Sequence, residues 1–216
     1  MDNLNAIVEY IRAELEARSA VRDDAIRRSR TLIRHCANSI RAMHRGEFDQ
    51  ARELLETARC AAIEMVEDVQ DHPGVFGAGY TQDALKELVE AFAVYAMLRR
   101  KPLPMLEDLG VPVDHPAYLN GLAEAASEMR RAILDTIRKG DLERGELLLE
   151  DMQEVYSAMI TIDFPDAVTG GLRRTTDGLR AVLERTRGDL TLTKQQEKLR
   201  RTLLHFEARI QDGPQG

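Results

Sequence analysis

Apolar residues recur every three to four positions through most of this chain. Ala25, Leu32, Ile33, Cys36, Ile40 and Met43 fall on one face of a 3.6-residue helix, and the pattern predicts a first helix over residues 2–45. Gly46 supplies its stop. A second helix starts at Glu47-Phe48-Asp49 and runs to about Gln70, followed by a Gly- and Pro-rich loop over 71–80. Thr81 reads as the N-cap of a third helix that continues to about Arg99. Residues 101–113, opening with Lys101-Pro102-Leu103-Pro104, form a connector, and Asp114 caps a fourth helix reaching Lys139. A fifth runs from Gly140-Asp141 to about Thr161. A sixth carries Leu172, Leu179, Val182 and Leu183, and Gly188-Asp189 reads as a turn into a seventh ending near Ile210. No segment alternates as a strand does. The expectation is an all-α fold, a single domain over 1–211 of about seven helices, with a flexible tail at 212–216.

Two of these helices carry glutamate pairs at helical spacing. Glu87 and Glu90 are i, i+3, and Glu124 and Glu128 are i, i+4, so each pair shares one side of its helix. The helix of Glu87 and Glu90 is otherwise apolar nearly all round, from Leu85 through Leu98, which places its acids in the interior or at a cleft. Burial there demands a partner: a divalent cation, or an arginine of the first helix such as Arg34. Glu124 and Glu128 lie opposite the apolar face of Leu119, Leu122, Ala126, Met129, Ile133 and Ile137, beside Arg131 and Asp135. Taken alone they read as an ordinary solvent face. If the two helices meet, four like charges converge, and hard ions such as Mg²⁺ or Mn²⁺ suit that oxygen-rich donor set.

Charge sharpens the picture of the first helix. The chain has a net charge of −7, which argues against a generic nucleic-acid binder. Yet residues 21–45 hold seven arginines against only Asp23 and Asp24. Arg27, Arg30, Arg34, Arg41 and Arg45 form one stripe roughly 27 Å long, with no acid between Ala25 and Arg45. Such a stripe is either a solvated face or a track for a phosphate backbone. With 5% aromatic residues and no tryptophan, base stacking is disfavoured as the mode of recognition.

Other chemistries lack their residues. No Glu-x-x-His precedes His35, His44, His72, His115 or His205, which disfavours a ferritin-type di-iron site. There is no phosphate-binding glycine loop, no nucleophile elbow, and no cysteine spacing for a metal, since Cys36 and Cys60 stand alone within helical patterns. No apolar run approaches the roughly 20 residues that span a bilayer, and the first ten residues lack a signal shape, so a cytoplasmic protein without membrane contact is expected.

The residues also resemble a known family, translin and translin-associated factor X, over nearly the whole chain. Leu85-Lys86-Glu87-Leu88-Val89-Glu90-Ala91 resembles the Glu-x-x-Glu helix of the X subunit. Tyr118 to Arg130 resembles the tract in which an acid and a glutamate stand four apart before Met-Arg, and Gly140-Asp141 and Gly171-Leu172-Arg173-Arg174 keep the order. The resemblance implies a seven-helix fold, a homo-oligomeric shell of octamer type, and a metal-dependent endoribonuclease of the catalytic, archaeal-like kind. Its carboxylates would be Glu87, Glu90, Glu124 and Glu128, with Mg²⁺ or Mn²⁺ as cofactor and RNA or single-stranded DNA as partner. Glu124 stands where the X subunit has Asp, and Ser157 follows Tyr156 where the X subunit tends to carry Asp. A non-catalytic oligomeric RNA or single-stranded DNA binder, its acids paired with arginines, and a helical protein-binding scaffold are the other readings.

Overall fold

The structure, a computed structural model, describes residues 3–211, so the tail expected at 212–216 lies outside the described residues. Among the described residues the chain is all α-helical with no strand, as the periodicity predicts. The helices are α1 (Leu4–His44), α2 (Phe48–Val69), α3 (Pro73–Phe76), α4 (Gly79–Arg99), α5 (His115–Lys139), α6 (Leu142–Met159), α7 (Asp166–Thr169) and α8 (Leu172–Gln211). A 3₁₀ turn, Leu106–Leu109, lies between α4 and α5.

The ends of α1 and α5 follow the glycine logic of their sequence. Gly46 takes φ 82° and Gly140 takes φ 77°, the left-handed region where a side chain would be strained. Asp141 then caps α6 by accepting from the Arg144 amide at 3.1 Å. The start of α4 differs from expectation. The 71–80 loop contains the single turn α3, and α4 begins at Gly79, with Ala78 rather than Thr81 at the N-cap. Thr81 is buried instead, and its hydroxyl donates to the Val75 carbonyl at 2.8 Å, tying α4 to α3.

The expected break at Gly188-Asp189 does not occur, because α8 passes through it as one helix. Leu179, Leu183, Thr186 and Leu190 are buried on one face across that point, and Asp189 meets Arg130 of α5 at 2.8 Å. Packing on both sides outweighs the roughly 1 kcal/mol that an interior glycine costs a helix. The long helices are therefore six, with α3 and α7 as single turns.

Helix α4 is central. It packs against α1, α2 and α5, while α5 also meets α6 and α8. One apolar core joins Leu32 and Cys36 of α1, Leu55 and Met65 of α2, Leu85 and Leu88 of α4, Met129 and Ile133 of α5, Leu148 and Met152 of α6, and Leu179 and Leu183 of α8. Two stretches leave this core. The start of α1 exposes Leu4, Ile7, Val8, Ile11 and Leu15, and the end of α8 exposes Leu199, Leu203, Leu204, Phe206 and Ile210.

Candidate metal centre and arginine surface

A glycine sets the distance between the two acid-bearing helices. A Cβ on Gly121 of α5 would stand 2.7 Å from the Lys86 carbonyl and 2.8 Å from the Val89 Cβ of α4. Only glycine allows this approach. Around it α5 is lined with the small buried residues Ala123, Ala125 and Ala126. The turn of α4 pressed on Gly121 is the one that carries Glu87 and Glu90, and Glu124 stands one turn along α5.

The result is a convergence of three carboxylates. One oxygen each of Glu87, Glu90 and Glu124 lie within 4.8 Å of one another. Glu90 is the innermost, 9% exposed. Glu128 is outside this trio. Its Oε2 meets Nε2 of His44 at 2.9 Å, and His44 is 1% exposed with its Nδ1 unpartnered. The solvent-face reading of Glu124 and Glu128 does not hold: their side chains are 33% and 39% exposed, half-covered between α4 and the end of α1.

The expected arginine partner is not the one present. Arg34 is exposed and forms no ion pair among the described residues. The cation at the acids is Lys86, from α4 itself. Its Nζ lies 2.8 Å from Oε1 and 2.7 Å from Oε2 of Glu124, and 3.8 Å from Glu87.

The electrostatics follow from this crowding. Burial, then the charges of Glu87, Glu124 and Glu128, push Glu90 up to about 8, with Lys86 opposing. Burial also raises Glu87; Lys86 works against that, while Glu124, Asp83 and Glu128 add to it. Glu128 is lowered, chiefly by its hydrogen bond with His44, against the effect of burial. Burial works against the charge on Lys86, but the hydrogen bond and fields of Glu124, then Glu87 and Asp83, raise its pKa. Cys36 of α1 is buried close enough that Glu87 and Glu90 add to the upward push of burial on its thiol, so it is an unreactive neighbour.

The donor set fits a hard divalent cation. It is all carboxylate, and its 4.8 Å spread is near the roughly 4–5 Å that separates opposite oxygens around Mg²⁺, Mn²⁺ or Ca²⁺. A cluster in which one acid is driven to hold a proton at neutral pH is also one a dication would relieve. A cavity of about 600 Å³ lies elsewhere, between the end of α4, residues 101–103 and α6, where Asp151 is tied to Arg100 at 2.5 Å.

The arginine stripe is a different kind of surface. Arg27, Arg30, Arg34, Arg41 and Arg45 are all exposed. Arg27 turns to Asp24, Arg41 to Asn38 at 2.7 Å and Arg45 to Glu47 at 2.5 Å. Arg30 and Arg34 have no ion pair among the described residues. At 100° per residue the five lie between about 120° and 180° from Cys36, so the stripe faces away from the acids. Arg131, seven residues beyond Glu124 on α5, shares the side of the acids. It is exposed, and its charge helps to lower Glu128.

Periodicity and motif spacing point to no role for Lys86, His44 or Gly121. The lone cation of the stretch from Gly79 to Leu98 is the available signal for Lys86, and the small residues Gly121, Ala123, Ala125 and Ala126 are the signal for close helix packing.

These elements define a class: an all-helical protein in which α4 and α5 bring carboxylates together along the inner side of α1. No family model matches the sequence. The chain is similar to AfC3PO, solved in complex with duplex RNA, at 32% identity and TM-score 0.74, covering 87% of this chain and 96% of that one. It superposes on apo-NeC3PO with TM-score 0.76 at 22% identity over 86% of this chain and 96% of that one, which is a likeness of fold. It is also 29% identical over 208 residues to the uncharacterized protein MJ0175 of Methanocaldococcus jannaschii, covering 94% of this chain and 88% of that protein. The chain belongs to the translin family of C3PO-like proteins.

Proposed function

We propose that this protein is a metal-dependent endoribonuclease acting on single-stranded or short duplex RNA within a homo-oligomeric shell. The observation that carries the reading is the meeting of Glu87, Glu90 and Glu124 within 4.8 Å on facing helices. These three residues would hold Mg²⁺ or Mn²⁺, with Glu128 joining from its place beside His44. A divalent ion bound there supplies charge neutralisation at a phosphate and lowers the pKa of water. Glu90, buried and inclined to keep its proton in the metal-free protein, would give that proton up to an ion held there. His44 orients Glu128 from behind, and Arg131 stands at the rim on the side from which a phosphate would approach.

The similarity to AfC3PO, solved with duplex RNA, supports RNA as the partner. The stripe of Arg27, Arg30, Arg34, Arg41 and Arg45 suits a phosphate backbone without reading bases. Because it faces away from the acids of its own chain, a strand along it would reach acids only on a neighbouring copy. The exposed apolar faces at the start of α1 and the end of α8 are the surfaces for that assembly, for which an octamer is the expected number. Free Cys36 and Cys60 suit a cytoplasmic setting.

The test is incubation of purified protein with labelled single-stranded and duplex RNA, and with single-stranded DNA, in Mg²⁺, Mn²⁺ or EDTA. Cleavage of RNA only with metal is expected. Glu87→Ala/Glu90→Ala should lose at least about a thousandfold in rate and keep RNA binding. Undiminished cleavage by that variant would sink the proposal. A second reading has its own support: Lys86 and His44 already partner Glu124 and Glu128 without any ion. On that reading the protein is a non-catalytic oligomeric binder of RNA or single-stranded DNA, its binding indifferent to EDTA and its RNA left intact.

A further inference from the structure

Packing of the apolar core gives Lys86 no reason to be where it is. It is the single cation between Gly79 and Leu98, in a helix otherwise committed to the core. Its side chain is 20% exposed, and ordering a lysine stem and drying its ammonium is unfavourable unless partners offset it. A surface position one turn away, such as exposed Asp83, would carry a lysine without that cost.

The geometry explains its placement. The ammonium reaches both oxygens of Glu124, at 2.8 and 2.7 Å, and stands 3.8 Å from Glu87. It thus bridges the carboxylates of α4 and α5, two of the three that converge. This is the position of a bridging cation between the helices. An ammonium that hydrogen-bonds Oε1 of a carboxylate and lies against its Oε2 leaves that carboxylate poorly open to a second cation. A dication held by the trio would also stand close to Nζ, where like charges repel strongly. The four-carbon stem gives the ammonium a way out toward the rim.

We infer that Lys86 is the resident counter-cation of this centre: a divalent ion enters by displacing its ammonium from Glu124, and Lys86 thereby sets how tightly the centre binds metal. This rests on the metal-dependent reading above. Lys86 is in this sense a positioning residue. It holds Glu124 and Glu87 together in the metal-free protein and sets the ion concentration at which the centre loads.

The experiment is titration of the full-length protein with Mn²⁺ at fixed pH, in the absence of RNA, with free Mn²⁺ followed by electron paramagnetic resonance and heat by calorimetry. Lys86→Met keeps the stem and removes the charge, and it should bind Mn²⁺ about tenfold or more tightly than wild type. Lys86→Arg keeps the charge and should stay within about threefold of wild type or bind more weakly. Lys86→Gln, polar and of similar length, serves as a second neutral variant should Lys86→Met fail to fold, and should also bind more tightly. The Mg²⁺ concentration giving half-maximal RNA cleavage should fall in step. Wild-type binding with neutral variants equal to or weaker than it overturns the role of Lys86 and leaves the metal centre standing. Absence of Mn²⁺ binding in every chain, wild type included, overturns the metal reading and this inference with it.

Discussion

The two sides of helix α1 make an instructive pair. Its inner side, through Cys36 and His44, lies against the acids: Cys36 feels Glu87 and Glu90, and His44 holds Glu128 at 2.9 Å. Its outer side carries Arg27, Arg30, Arg34, Arg41 and Arg45, all exposed. Inside, each charge is costly and must be answered, by a fixed partner as at Glu124 and Glu128 or by a retained proton as at Glu90. Outside, water and salt do the answering, and the arginines keep their freedom. The inner side is thus a built site with defined geometry. The outer side is a field, and its meaning depends on what is brought to it.

Substitution on the two sides should therefore act on different measurements. On the proposed activity, loss of Glu87 and Glu90 should remove cleavage, the largest effect expected. Next in size is the outer side. Arg30→Ala/Arg34→Ala removes the two stripe cations without an ion pair, and should weaken RNA binding on the order of tenfold at low salt. The slope of log affinity against log salt should flatten by about two units, while Mn²⁺ affinity in the absence of RNA stays put. Equal salt slopes in variant and wild type would show that the stripe is only a solvated face.

A smaller effect tests how the inner side is built. Gly121→Ala would place a Cβ 2.7 Å from the Lys86 carbonyl, forcing α5 away from α4. A loss of about 1–3 kcal/mol in chemical unfolding is expected, together with weaker Mn²⁺ binding as the carboxylates separate. Gly188 of α8 is the control. A Cβ there meets nothing within 4 Å, so Gly188→Ala should stabilise by about 0.5–1 kcal/mol. If both alanines behave alike, close approach at Gly121 is not what sets the acid spacing.

The same contrast explains what could be read from the chain without its structure. Glu87 and Glu90 were legible because they interrupt an apolar helix, and burial leaves such residues few roles. The helix stops at Gly46 and Gly140 were legible because a left-handed residue at a helix end is a local event. The Gly188-Asp189 break was misread because the helix there is held by Leu183, Leu190 and the Arg130–Asp189 pair, all supplied by tertiary packing. Taken alone, the periodicity of α5 reads Glu124 and Glu128 as a solvent face because it counts only one apolar face, and only the family resemblance draws them toward the site. Helix α5 packs on several neighbours at once, through residues as small as Gly121 and Ala125. The link from His44 to Glu128 spans 84 positions, and no local pattern signals it.

A pH dependence is expected that belongs to the inner side alone. Burial and its acidic neighbours push Glu90 from an ordinary 4.5 up to about 8, so the folded, metal-free protein keeps a proton that the unfolded chain releases. The unfolded state then binds fewer protons than the native state between those two values. Stability contributed by this proton is complete below the lower value and is lost as pH rises through the upper one. In EDTA, urea unfolding midpoints should fall from pH 5 to pH 8. Glu87, also raised, adds a change of the same sign, whereas Glu128, lowered by His44, contributes stability that is lost only toward acid pH. Comparing wild type with Glu90→Gln isolates the one group: the variant keeps a neutral side chain at every pH, so its midpoints should fall less steeply across this window. On the proposed metal binding, adding Mn²⁺ should offset the wild-type loss at pH 8, because the ion would take the place of the proton. The outer side offers no counterpart, since arginine stays charged throughout, and Arg30→Ala/Arg34→Ala should leave the pH profile of stability unchanged. Parallel profiles for wild type and Glu90→Gln would mean that Glu90 ionises freely, and that the inner side is as open to water as the outer.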